Sequence, residues 1–314
     1  MNTYGDIFRL TTYGESHGLA VGAVIDGCPS GVRLDMELIA RQLARRRHGA
    51  PRSETDEVEW LSGLQDCITL GTPLAFLVRN TNTQPDDYTL LEHMFRPGHA
   101  DYTYFRKYGI RDHRGGGRSS ARETVARVVA GTIAQQLMPE IGISTVCQTA
   151  EAPSNDTRGG CVCCRIAGVP AGIGEPIFDK LNANLAAAMM SIPSAIGFEM
   201  GIGFQAAQMT GREYIDRWSG NRQYGAALTT TNHCGGIQGG ISNGMPIEFR
   251  VAFHPVVTIP QPTECMHEDG RLETVSLPGR HDRNHICRAA VVVESMAALC
   301  MVNYILKETK RPEV

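Results

Sequence analysis

The chain of 314 residues is predicted to fold as a single α+β domain built from two similar halves, and three features of the sequence point there. Short stretches of strand character, bounded by glycine, proline and asparagine turns, alternate with a few apolar helical stretches. Residues 25–43, IDGCPSGVRLDMELIARQL, read strand, Gly-x-Pro-small-Gly turn, helix; residues 166–185, IAGVPAGIGEPIFDKLNANL, read the same way. Gly27, Pro29 and Gly31 are thus answered by Gly168, Pro170 and Gly172, and the loop-to-helix step at Arg118 by GRHD, 279–282, before a final helix expected over 289–306. Pseudo-repeats over roughly 4–140 and 160–307, each exposing an apolar face, should pack into one domain with the site where they meet.

Composition sets the outer limits. Hydrophobic residues make up 42% and charged residues 20%, as in a soluble globular protein. A net charge of −3 argues against coating nucleic acid or a membrane by bulk electrostatics. No run of 18 apolar residues is present, and MNTYGDIFRL lacks the basic-then-apolar character of a signal peptide, so a cytoplasmic protein is expected. Ten cysteines scattered through such a chain are expected as reduced thiols, with Cys161 and Cys163 on one face of a strand and Cys164 on the other. No metal site is expected, because no second Cys or His pair at finger spacing follows.

Taken in order, the first informative segment is YGESHG, 13–18, after a strand expected over 8–12. His17, between small residues in a turn, can face a cleft and move protons near neutral pH, or be an ordinary loop histidine. A strand over 21–26 follows, then a helix capped by Asp35. That helix ends in Arg41, Arg45, Arg46, Arg47, His48 and Arg52. Five arginines in twelve residues are either a solvated helix end favoured by the dipole or a clamp for an anionic small-molecule substrate. Nucleic acid is disfavoured, since no aromatics interleave the cluster and Glu54, Asp56, Glu57 and Glu59 follow at once.

Strands over 58–64 and 73–78 and a polar loop over 80–87 lead to RPGHADYTYFRKYGIRDHRGGGRSSARET, 96–124. His99 lies in its first turn, and Gly115, Gly116 and Gly117 form a flexible loop before Ser119 and Ser120. Ser120 and Glu123 have capping-box spacing, and Val125, Val128, Val129, Ile133 and Leu137 form one apolar stripe. Arg118, Ser119 and Ser120 at that helix start would hold a phosphate, unless the feature is simply a capped helix. In the second half, a helix is expected over 176–190, and TTTNHCGGIQGGISNG, 229–244, allows close approach of backbone to a flat ligand. Arg280 and Asp282 are a candidate anion clamp and proton acceptor, or an ion pair.

GESHG at 14–18, RPGHADYTY at 96–104, RGGGRSSARET at 114–124, GVPAGIGEP at 168–176, TNHCGGIQGGISNG at 231–244 and GRHD at 279–282 together resemble the chorismate synthase family, over about residues 4–306. The resemblance implies a single-domain β-α-β sandwich with central helices flanked by antiparallel sheets, a homotetramer, and a lyase converting 5-enolpyruvylshikimate 3-phosphate to chorismate with reduced FMN. It implies that His17 protonates the departing phosphate, that His99 protonates the flavin, and that Asp282 assists proton removal. Arg46 and Arg52 match positions for the anionic substrate or NADP, with NADPH a possible reductant. Arg118, Ser119, Ser120, Gly239, Arg280 and the loop His254, Pro255, Val256, Val257, Thr258 match FMN contacts. The chain departs from the family in three places. His254 stands where a lysine is usual; SIPSAIG at 191–197 puts Pro193 and Ile196 where asparagine and lysine are usual; the segment before Cys161 is short. Two fewer cations near a dianionic cofactor predict weaker FMN binding, with a catalytically weakened flavin-binding relative as the competing expectation.

Overall fold

The computed structural model describes residues 1–223, 226–277 and 280–308; Gly279 of the GRHD motif lies outside them. Its helices are α1 (Met36–Arg47), α2 (Asp101–Tyr108), α3 (Thr124–Gln136), α4 (Leu181–Met190), α5 (Gly211–Tyr214) and α6 (Ile286–Glu308). One antiparallel sheet has the strand order Thr3–Tyr4, Arg9–Tyr13, Ala20–Asp26, Leu74–Arg79, Val58–Ser62. A second, also antiparallel, has the order Ala195–Met200, Ile247–Phe253, Gly160–Ala167, Gly142–Gln148.

The helices lie between the sheets. α3 packs on the first sheet and on α1, α6 packs on the second sheet and on α4, and α3 and α6 pack on each other. Each sheet can therefore be polar outside and apolar inside. Strand Ile247–Phe253 buries Ile247, Phe249, Val251 and Phe253, and strand Gly160–Ala167 buries Val162, Cys164 and Ile166, so Cys161 and Cys163 do face the other way. By length and composition α6 could cross a membrane, yet 83% of its apolar window is buried inside the protein, so that surface serves the core. At the centre sits one buried carboxylate. Glu294 of α6 accepts two hydrogen bonds from Arg45 of α1, at 2.6 and 2.8 Å, and one from Thr145 of the second sheet, joining three elements.

The two Gly-x-Pro-small-Gly turns are closed by the same bonds. Thr69 Oγ1 donates to Pro29 O at 2.7 Å and accepts from Val32 N at 3.0 Å; Ser242 Oγ donates to Pro170 O at 2.5 Å and accepts from Ile173 N at 2.9 Å. Gly27 and Gly168, at φ +80° and +81°, each lie where a Cβ would meet a carbonyl oxygen, Ile7 O and Glu140 O, at 1.8 and 2.1 Å. Glycine is required at both.

Several expectations need correction. Cys147 and Cys287 form a disulfide rather than staying reduced, because α6 packs on strand Gly142–Gln148 and brings together residues 140 apart in sequence. The expected helix over 176–190 begins only at Leu181, since Ile177 and Asp179 take left-handed backbone at φ +63° and +62°. The supposedly flexible glycines form a tight left-handed turn within Arg114–Ser119, all three at positive φ, with Gly116 and Gly117 buried. The capping box is half made: Ser120 Oγ accepts from Arg122 N at 3.4 Å, but Glu123 pairs with Arg127 at 2.8 Å. Asp35 caps α1 as expected, accepting from Leu38 N at 2.8 Å.

The closest approach of the central helices is at Gly131, where a Cβ would stand 2.5 Å from Ser295 Cα and 2.7 Å from Ser295 O. Gly131→Ala gains about 1 kcal/mol of helix propensity. It must also push α3 off α6 backbone, and such overpacking costs about 1–3 kcal/mol or more. The net effect expected is a lower urea midpoint, and an unchanged or raised midpoint would contradict this packing.

Candidate active site

The site is organised by the glycine turn. His17 and His99 reach it from different parts of the first half, and both are pressed against positions that can carry no side chain. A Cβ on Gly115 would lie 2.3 Å from His17 Cε1, and one on Gly116 would lie 2.9 Å from His99 Cε1. Both glycines also have positive φ, +61° and +82°, so the backbone path itself favours glycine.

His17 is 9% exposed, and its Nε2 is shielded without a hydrogen-bond partner among the described residues. The Ser16 hydroxyl can donate to the carbonyls of Arg114 and Gly115, so it accepts from His17 Nδ1–H at 3.0 Å and leaves Nε2 as a bare lone pair. Burial, then the Arg52 charge, push the imidazole down to about 4, with Arg114 and Arg280 adding to the effect and Asp112 opposing it. Tyr88, from the segment Pro85–Leu91, covers the ring edge-on at 4.9 Å. His99 is held differently. Its Nδ1 lies 2.9 Å from the buried Asp101 carboxylate, which Arg96 also binds at 2.8 Å. Burial opposes ionisation of Asp101, but hydrogen bonds from His99 and Arg96 hold it well below the usual carboxylate range.

A cavity of about 900 Å³ opens on one side of this turn, lined by Arg114, Gly116, Gly117, Arg118 and Ser119 among others, and two further cavities adjoin each other on the side of Ser120. The larger of these two, about 620 Å³, is lined by His99, Gly115, Arg118, Ser119, Ser120, His254, Val256, Val257, Thr258 and Asp282. The smaller, about 240 Å³, is lined by Arg46, Arg52, Arg122, Asp282 and Arg288 among others; both include Ser120, Pro193, Ser194, Asp282 and His285. Around the smaller cavity, five guanidinium groups (Arg46, Arg47, Arg52, Arg122, Arg288) face three carboxylates (Glu54, Asp56, Asp282), an excess of two positive charges. The carboxylates are already taken: Asp56 by Arg122, Glu54 by Arg52 and Thr81, and Asp282 by Arg288. Arg46 is the group left over. Its Nε is shielded with no partner among the described residues, and burial pushes it down to about 10, with Asp56 opposing, so it stays charged at neutral pH. Such a cation calls for an anionic partner.

The predicted residues thus divide. His99, Arg118, Ser119, Ser120, His254, Val256, Val257, Thr258 and Asp282 meet at the larger cavity, and Arg46 and Arg52 at the smaller. His17 sits behind Gly115, with the Arg280 charge acting on it; Arg280 itself is tied to Asn82 at 3.0 and 3.1 Å. Pro255 turns out to solvent against Gly159. Gly239 lies apart, in the turn between strands Ile237–Gln238 and Ile241–Ser242, and lines neither cavity. Sequence reading missed Arg122, Arg288, Asp101, Tyr88 and His285; only Asp101, two residues from His99 in GHAD, carried a local signal.

The residues suit a phosphorylated flavin. The larger cavity falls in the 300–1,000 Å³ range of cofactor-sized sites, with hydroxyls, cations and an apolar Val256–Val257 wall. The unpartnered His17 Nε2 and Arg46 Nε are polar atoms a bound anion would satisfy.

Comparison with known proteins gives one answer. A family model described as chorismate synthase matches residues 8–153 and 148–306. The chorismate synthase of Porphyromonas gingivalis is 46% identical over 354 aligned positions, covering 98% of this chain and 96% of the relative. That of Cytophaga hutchinsonii is 43% identical over 352 positions, covering 98% of each. A solved structure described as the crystal structure of chorismate synthase superposes with a TM-score of 0.76 at 26% identity, covering 98% of this chain and 94% of that one. The family match breaks at 148–153, just before Cys161, and the alignments are longer than the 314 residues of this chain, so the relatives carry internal residues this chain lacks.

Because His17 is held neutral in the folded protein, its folded-state value lies below the ordinary 6.5 of the unfolded chain. Its contribution to stability is complete above about pH 6.5 and is lost as pH falls toward 4. His17→Gln should therefore lose less urea stability than the parent between pH 7 and 4.5. Parallel losses in the two proteins would show that the imidazole is not held neutral.

Proposed function

This chain belongs to the chorismate synthase family, and from that premise we propose that it catalyses the anti 1,4-elimination of phosphate from 5-enolpyruvylshikimate 3-phosphate at the glycine turn, with reduced FMN. The observation that carries the reading is the placement of two imidazoles on one Cβ-less turn, beside a cavity that adjoins a pocket with surplus arginine charge. Homologues of this identity over the whole length are phosphate-eliminating lyases of the shikimate pathway by name, which favours an active enzyme over a weakened relative.

The substrate's carboxylates and phosphate fit the smaller cavity, where Arg46 has a free donor and Arg52 lies within reach of Ser16, beside His17. His17 must carry a proton at Nε2 to donate it to the leaving oxygen. In the resting site it does not, since burial and Arg52 keep it neutral. A phosphate dianion beside the ring reverses that balance, so substrate binding and protonation of His17 are coupled. Bound reduced FMN supplies electron density to the allylic system and a site for the departing proton, without net redox change. Arg118, Ser119, Ser120 and the 254–258 loop would hold it, and Asp282, ion-paired with Arg288, is the acceptor to which that proton can pass. His99 is oriented through Nδ1 by Asp101, with the Arg96 guanidinium 3.2 Å from its Nε2, and its ring lines the larger cavity.

The rest of the reading is coarser. We take the chain as one domain of two pseudo-repeats, supported by the identically closed turns around Thr69 and Ser242. We also take it as a cytoplasmic homotetramer, with NADPH as a possible reductant. A tetramer would give Gly239, which lies outside both cavities of its own chain, a second molecule to face.

The test is anaerobic turnover with photoreduced FMN, following phosphate release. The parent should turn over, and His17→Ala and His99→Ala should fold normally yet lose activity by about 10²-fold or more. Unaltered turnover in either variant removes that residue from the mechanism. Binding of FMN and substrate without phosphate release would remove the lyase reading.

A further inference from the structure

The larger cavity is lined by two histidines that no step above uses as titrating groups, His254 and His285, and the hydrogen bonds fix what each presents. Ser194 Oγ–H donates to Pro193 O at 2.5 Å, so towards His285 it can only accept, taking Nε2–H at 2.7 Å. His285 Nδ1 is then a bare lone pair, shielded and without a partner among the described residues. His254 Nδ1 lies 2.6 Å from Pro255 O, which can only accept, so neutral His254 likewise keeps its proton on Nδ1 and bares Nε2. Ser194 also joins the two, since its carbonyl accepts from His254 N at 3.0 Å.

Among the described residues Arg127 is already paired with a carboxylate, which leaves Arg118, held only by neutral oxygens, as the permanent cation of this cavity whose charge is free for a phosphate dianion. Arg118 donates to Thr12 Oγ1 at 2.6 Å, and Arg127 is bound to Glu123 at 2.8 Å and to Ser191 at 2.8 Å. An anion arriving here must draw its remaining charge complement from the imidazoles. Neutral, each presents a lone pair that repels a phosphate oxygen; protonated, each presents an N–H that binds one.

We propose that His254 and His285 form a proton-switched seat for the phosphate of the flavin, so that this chain binds its cofactor tightly only when the two imidazoles take up protons. The inference rests on the FMN reading of this cavity. The charged groups facing His285 are Asp282, which favours its protonation, and Arg288 and His254, which oppose it together with burial. His254 lines the same cavity, with Arg118, Arg127 and Glu123 on the α3 side and with His99 and the N-terminal residue Met1 also on its wall. An arriving phosphate offsets the two opposing cations, so binding and proton uptake are linked.

The experiment is fluorescence titration of the full chain with FMN and, separately, with riboflavin, which has the same ring and no phosphate, from pH 6.5 to 8.5. Affinity for FMN should fall with rising pH, by up to about tenfold per unit for each linked proton, while riboflavin affinity stays level. His254→Lys should flatten the FMN slope and raise affinity at pH 8.5; His285→Gln should lower affinity at pH 6.5 and leave pH 8.5 little changed. A level FMN affinity in the parent overturns the proposal whether or not the variants fold, as does an equal slope for riboflavin or an unchanged slope in His254→Lys. Failure of FMN to bind at any pH removes the cofactor reading, and this proposal with it.

Discussion

The molecule depends on one steric fact: the turn Gly115–Gly116 has an imidazole packed where each Cβ would be. The same turn is tied back by Ser16 N donating to Gly117 O at 3.3 Å and by Ser119 Oγ donating to Gly116 O at 2.7 Å. It then runs directly into the start of α3, the helix that packs on both the first sheet and α6. Position of the acid–base groups is therefore set by the core rather than by a mobile loop. Left-handed backbone favours glycine here, and the close contact of the imidazoles requires it.

Around this turn the electrostatics follow from what burial leaves unpaired. Carboxylates here are multiply bonded: burial opposes ionisation of Glu54, but Thr81 and Arg52 hold it down to about 2. Cations are in excess, and His17 Nε2 and Arg46 Nε are among the buried polar atoms without partners among the described residues. Buried orphans are costly in a fold and are kept where a ligand completes them. Neutral His17 and charged Arg46 are then complementary features of one resting state. The arginine draws an anion in, and the imidazole has room for a proton only once that anion has arrived.

Much of this was legible in sequence wherever the information is local. The Asp35 cap, the strand over 247–253 and the grouping of His99 with Arg118 to Ser120 came from spacing or motif, and they hold; the single apolar stripe expected of α3 does not, because the helix is enclosed by the first sheet, α1 and α6 and buries ten of its thirteen residues. Misreadings arose where a tertiary contact outranked local preference. Glu123 has capping-box spacing, but Arg127 one turn on offers it a full charge, and an ion pair in a half-dry site outweighs a backbone N–H. No element was assigned to Asp101–Tyr108 from the sequence, yet it forms α2, with Phe105 and Tyr102 packing on Phe95. The Cys147–Cys287 bond and the Arg122–Asp56 pair join residues far apart in sequence, and no spacing rule encodes them.

The paired turns carry the argument one step further. In the first half, the residues between strands Leu64–Gln65 and Ile68–Thr69 are Asp66 and Cys67, at φ +49° and +64°. In the second, between Ile237–Gln238 and Ile241–Ser242, they are Gly239 and Gly240, at +63° and +95°. The same tight turn thus tolerates side chains in one half, so backbone conformation does not by itself demand glycine in the other. Gly240 has a local reason, since a Cβ there would strike Lys180 at 2.5 Å and Glu175 O at 2.6 Å. Gly239 has none within its own chain, because a Cβ there would meet nothing within 4 Å. Among the described residues nothing requires bareness at this exposed position, whose missing side chain would point into open space.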